Sequence, residues 1–93
     1  VERSKVVRWS AHALQTLVDR EIDREVADAT LATPELAVSD ESGRRILMRQ
    51  YFDEPLQREM LLRVVIEDTA SEIVVVTLYK TSRIETYLRG PGR

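Results

Sequence analysis

Apolar positions recur along this chain with two different periods, and the change of period separates a helical first third from a stranded remainder. Lys5-Val6-Val7-Arg8-Trp9 is rich in β-branched and aromatic residues and reads as a short first strand. Ser10 follows as a helix N-cap, because its hydroxyl can accept one of the free N–H groups of a first turn. From Ala11 to Glu21 the spacing is helical. Ala11, Ala13, Leu14, Leu17 and Val18 predict an apolar face, with His12, Gln15, Thr16 and Asp19 on the polar one. Ile22-Asp23 opens a second helix, with Asp23 as its cap and a carboxylate suited to the positive end of the helix dipole. Ile22, Val26 and Ala29 give that helix a narrow apolar stripe. Pro34 ends it, since Thr33 before proline is driven out of helical geometry.

Beyond Pro34 the pattern belongs to strands. Leu36-Ala37-Val38 is a short one, closed by the turn-rich Asp40-Glu41-Ser42-Gly43. Arg44 to Phe52 and Arg58 to Ile66 are longer, with Asp53-Glu54-Pro55 as a turn between them. Glu67 to Ser71 is a polar connection of hairpin length. Ile73 to Lys80 is the strongest strand, and its near-continuous apolar character predicts a central place buried on both faces. Thr81 to Arg89 predicts a closing helical turn, and Gly90-Pro91-Gly92-Arg93 a frayed tail. The expected fold is α+β: a short first strand, two helices, then an antiparallel β-meander, in one domain spanning 1–93 with its core at 5–88.

Strand alternation assigns the faces. Met60, Leu62, Val64 and Ile66 form a purely apolar row, and Val74, Val76 and Leu78 are expected beside them under the helices. Ile73, Val75, Thr77, Tyr79 and Thr81 are expected on the opposite, open face. Arginines 45, 49 and 63 and Tyr51 are expected to share that open face.

Composition narrows the chemistry. The chain has 93 residues, 43% hydrophobic and 32% charged, which suits one globular core. It has no cysteine, so disulfides, thiolate metal sites and a cysteine nucleophile are excluded. A small chain without disulfides suits a reducing cytoplasm, and no apolar run approaches the ~18 residues of a membrane span. The net charge of −2 hides an uneven distribution. Residues 1–9 are basic through Arg3, Lys5 and Arg8, and the end is basic through Lys80, Arg83, Arg89 and Arg93. Residues 19–41 hold eight acidic side chains against Arg20 and Arg24. Such a balance permits the basic patch that a nucleic-acid binder needs without requiring one.

His12 is the one histidine and falls on the polar side of its helix, where an imidazole can act as general base; the alternative is a structural histidine at a helix start. Tyr79, with Thr77 and Thr81, can stack on a base or donate a proton; the alternative is the ordinary β-propensity of such residues. Arg45, Arg49 and Arg63 are candidate phosphate ligands, joined by Lys80 and Arg83; the alternative is cross-strand pairing with Glu59, Glu67 or Glu72. Asp19, Glu21, Asp23, Glu25 and Asp28 scatter around helix axes and lack the spacing of a calcium loop, so no metal site is expected. One histidine without cysteine cannot build a zinc site, and three glycines make no phosphate loop, so no cofactor is expected. Ser10, His12 and Asp19 resemble a triad only on paper, because Ser10 is accounted for as a cap.

Two stretches carry a family resemblance. Ser10-x-His12-Ala13-Leu14, then Asp19-Arg20-x-Ile22, Val26 and Pro34-Glu35, resembles the opening of a bacterial domain family of unknown function related to RelE/ParE-like toxins. Val75-Val76-Thr77-Leu78-Tyr79-Lys80-Thr81-Ser82-Arg83 resembles its closing strand, and the likeness covers about residues 6–88. The chain departs from it at Thr16, where many relatives carry arginine. The resemblance implies a RelE-like fold, a metal-independent ribonuclease, and RNA and an antitoxin protein as partners, with a homodimer as one state. It implies His12 as base or acid, Arg49 and Arg63 on the phosphate, and Tyr79 stacking or donating. The competing expectation is a protein-interaction module of the same fold without catalysis.

Overall fold

The computed structural model describes residues 5–89, so the tail at 90–93 lies outside the described residues. The elements are β1 (Val6–Trp9), α1 (Ala11–Asp19), α2 (Arg24–Ala32), β2 (Leu36–Ser39), β3 (Arg45–Asp53), β4 (Arg58–Asp68), β5 (Glu72–Thr81) and α3 (Ile84–Arg89). They build an α+β fold on a five-stranded sheet in the order β1-β5-β4-β3-β2. The run from β2 to β5 is the expected antiparallel meander, and β1 adds to β5 in parallel. α1 and α2 therefore carry the chain from one edge of the sheet to the other.

Local chemistry sets the helix ends. Ser10 Oγ accepts from Ala13 N at 3.0 Å, and Asp23 Oδ1 accepts from Glu25 N at 2.9 Å. α1 closes by dropping Glu21 into the left-handed region (φ 53°), so that Ile22 N–H donates to Leu17 O and Glu21 N–H to Val18 O. This turn delivers Ile22 to the core beside Leu17.

The helix-side core joins Ala13, Leu17, Ile22 and Ala27 to Leu47, Leu62, Val64, Ile66, Val75 and Leu78. Burying each large aliphatic side chain here contributes about 1.5–3 kcal/mol. Three expectations about facing are corrected. On α1 the buried residues are Ala13, Thr16 and Leu17, while Leu14 and Val18 stay 43% and 72% exposed. Thr16 can be buried because its hydroxyl donates to His12 O at 2.8 Å, leaving no polar atom unsatisfied. Thr30 does the same on α2 with Val26 O. The helix is thus rotated from the arrangement that polarity alone predicts.

The second correction lies in β5. Val65 pairs with Thr77 but Ile66 pairs with Val75, so Val76 is an extra residue in a β-bulge. A bulge reverses which side chains face which way. Val75 packs under the helices before it and Leu78 after it, while Thr77 and Tyr79 turn to the far face. Val74 is therefore not on the helix side. In β3 it is Leu47, Arg49 and Tyr51 that face the helices, not the open side, because their partners Val64, Leu62 and Met60 form the helix-side row.

Ser10 secures the bulge as well as the helix. Its N–H donates to Val75 O and its hydroxyl to Val76 O, both at 3.1 Å. Ser10→Ala removes a cap and a bulge contact together. It is expected to lower stability by about 1–2 kcal/mol in urea unfolding, against a few tenths for an exposed control such as Gln15→Ala.

Candidate functional site

β1 stops opposite Val75, so from Val76 onward β5 has no β1 residue beside it. The start of α1 sits at that margin, and His12 reaches across it. Its Nε2 lies 3.2 Å from Thr77 Oγ1. The His12 side chain is exposed, and Thr77 is half-buried. Tyr79 is the next residue of β5 on the same face, about 7 Å along the strand. Arg63 stands directly across from Tyr79 on β4 and donates from Nη1 to the tyrosine hydroxyl. A row thus runs from His12 through Thr77 and Tyr79 to Arg63.

Arg63 is the unusual member. It is only 9% exposed, and its Nε is buried with no hydrogen-bond partner. Among the described residues no carboxylate forms an ion pair with it. Aromatic faces stand in for an anion. Its guanidinium carbon lies 5.3 Å from the Tyr79 ring centroid and 4.0 Å from that of Tyr87 on α3. Such contacts contribute about 0.5–2 kcal/mol, whereas an unmet buried donor costs about 1–3 kcal/mol. The balance leaves a positive group with capacity for an anion.

The remaining candidate cations lie elsewhere. Arg49 faces the helices, where Nη1 donates to Thr33 O at 2.7 Å and to its hydroxyl at 3.2 Å. Arg45 lies 3.6 Å from Asp68, which also holds Lys5. Lys80 faces the helices and pairs with Asp53 at 2.7 Å. Arg83 is exposed just before α3, its backbone N–H donating to Thr81 Oγ1. Of the alternative glutamate partners, Glu67 holds Arg44 and Glu72 holds Arg8. Thr16, one turn from His12 on the same side of the helix, is buried with its hydroxyl on His12 O.

Among the described residues the one deeply buried ion pair, Asp53 with Lys80, is structural. Asp53 accepts from Lys80, from the Tyr51 hydroxyl at 2.8 Å and from Leu56 N at 2.9 Å. Burial alone would push its carboxyl up, but those donors together hold it below the usual carboxylate range. Burial, then the Asp53 carboxylate, pushes the Tyr51 hydroxyl well above its ordinary value. Among the described residues no group of three or more histidine, cysteine, aspartate or glutamate side chains is placed to hold a metal ion.

Tyr87 is the site residue that sequence reasoning passed over. The available signal was the spacing of Ile84, Tyr87 and Leu88, which gives the closing turn one apolar side.

A bulged meander carrying an exposed histidine at Thr77 and, opposite Tyr79, a buried arginine that no carboxylate pairs among the described residues defines a small α+β protein. A family model matches residues 9–80, and the chain belongs to that family, described as Domain of unknown function (DUF4258). No curated protein and no solved structure matches the chain. No helix of the described residues is long and apolar enough to cross a membrane.

Proposed function

We propose that this chain is a RelE-like toxin of the bacterial cytoplasm that cleaves RNA without a metal ion. The observation that carries the reading is Arg63, a buried guanidinium with no carboxylate, in one row with His12. A phosphodiester supplies the missing anion. His12 Nε2 takes the proton of the ribose 2′-hydroxyl, the 2′ oxygen bonds to phosphorus, and the bond from phosphorus to the 5′ oxygen breaks. The Tyr79 hydroxyl gives its proton to that leaving oxygen. Arg63 holds the charge that builds on the phosphoryl oxygens. The products are a 2′,3′-cyclic phosphate and a free 5′-hydroxyl. Arg83, exposed just before α3, adds long-range attraction for the backbone. In this reading the partners are RNA and an antitoxin protein, and the chain can pair as a homodimer.

A second reading, a non-catalytic protein-interaction module, is favoured by Leu14 and Val18. They stand exposed one helical turn apart on α1.

Growth after induction in bacteria separates the two. The parent chain is expected to arrest growth, and His12→Ala or Tyr79→Phe at matched soluble expression to relieve the arrest. Normal growth with the parent well expressed turns the reading to the interaction module. Equal toxicity of all three removes the row as the site.

A further inference from the structure

Arg63 is covered more fully than its hydrogen bonds explain. Among the described residues its one hydrogen-bonded partner is the Tyr79 hydroxyl, and its Nε has none. The close cover on the guanidinium face is the Tyr87 ring, at 4.0 Å. The element that holds Tyr87 is slight. α3 has six residues, and none of them is buried. Helices of that length are unstable alone, so α3 depends on what it touches. Its ion pair, Arg89 with Glu85, lies within the helix, with side chains 74% and 75% exposed. α3 also lies beyond the segment that the family model matches.

A guanidinium face accepts any flat π system, a tyrosine ring or a nucleobase alike. The two differ in what accompanies the ring. Tyr87 brings no anion, so the buried Nε stays unmet. A nucleotide brings its phosphate, which can take both the charge and the free donor. The exchange therefore favours the nucleotide.

From this we infer that α3 is a latch: Tyr87 occupies, on Arg63, the place that a nucleobase takes when single-stranded RNA binds, and the RNA displaces it. The inference rests on the RNA reading above and adds the base-binding surface and its gate.

The test is fluorescence anisotropy with a labelled single-stranded oligoribonucleotide carrying 2′-O-methyl groups, which bind but cannot be cleaved by 2′ attack. Removing a competing closed state raises the competent fraction, so Tyr87→Ala is expected to bind about five- to tenfold tighter than the parent. Tyr87→Phe keeps the ring and is expected to bind as the parent does. Arg63→Gln is expected to lose about tenfold or more, with or without Tyr87→Ala. In the unmodified chain, amide hydrogen exchange of residues 84–89 is expected to quicken when the oligonucleotide is bound.

Tyr87→Ala that binds no tighter than the parent, or exchange at 84–89 slowed by RNA, overturns the latch. If Arg63→Gln still loses binding in that case, the RNA site stands without the gate. Parent-like binding by Arg63→Gln, or no binding by any chain including Tyr87→Ala, overturns the RNA site and the latch together.

Discussion

Lys80→Met is expected to destabilise the fold by about 3–5 kcal/mol, the loss that follows when one member of a buried ion pair is left alone. The Asp53 side chain is 1% exposed and that of Lys80 13%, so water cannot replace the missing cation. Lys80 also reaches Glu21 O at 3.3 Å, tying β5 to the turn that closes α1. Its methylenes survive in methionine, so the loss reports charge rather than packing. A domain of this size has about 5–14 kcal/mol of stability in total, so the variant approaches unfolding. Asp53→Asn in the same chain is expected to recover part of the loss, because the uncompensated charge is gone. Acidity gives a second signature. In the parent the depressed Asp53 carboxyl contributes stability that is fully present above the unfolded-state value and is lost as pH falls through the lower folded value. Without Lys80, burial dominates and raises that carboxyl. The deficit of Lys80→Met relative to the parent should then shrink as pH falls, since protonation removes the stranded charge. Urea melts between neutral and acid pH read both effects.

The second large effect is chemical. A positioned general base accelerates proton removal by about 10²- to 10⁴-fold, and in the proposed RNA cleavage that base is His12. Thr77 fixes where the imidazole points, through the 3.2 Å contact with Nε2. His12→Ala is therefore expected to slow RNA cleavage by about 10²- to 10⁴-fold while leaving the fold intact, because the side chain is exposed and lies outside the core.

Much of the architecture was legible in residue order. Ser10 and Asp23 announce their helices by chemistry that acts over two or three residues, and both cap as expected. The alternation of β4 named its helix-side row correctly, since four apolar residues at period two leave one choice of face. What the sequence concealed depends on partners distant along the chain. Ile73 to Leu78 is too uniformly apolar to betray an extra residue, and the bulge at Val76 exists only in pairing with β4. The choice of face for β3 likewise waits on that pairing. Thr16 looked solvent-facing by composition, although a threonine in a helix can return its hydroxyl to its own backbone. His12, Tyr79, Arg49 and Arg63 were grouped from sequence as one site, and in the structure His12, Tyr79 and Arg63 lie in one row while Arg49 faces the helices. Arg45, Arg49 and Lys80 were named on the same grounds, but the structure occupies them with acidic side chains or a helix end. Charge marks a residue as a candidate, and only the fold shows whether its charge is already answered.

The most direct measurement uses the purified chain, a chelator, and two RNA oligonucleotides that are identical except for a single 2′-deoxyribose at the cleaved position. If His12 and the ribose 2′-hydroxyl carry the reaction, the all-ribose strand is cleaved to a 2′,3′-cyclic phosphate end, the deoxy-substituted strand is not cleaved at that position, and His12→Ala loses cleavage. Cleavage of both strands alike, or equal cleavage by His12→Ala, would contradict that mechanism.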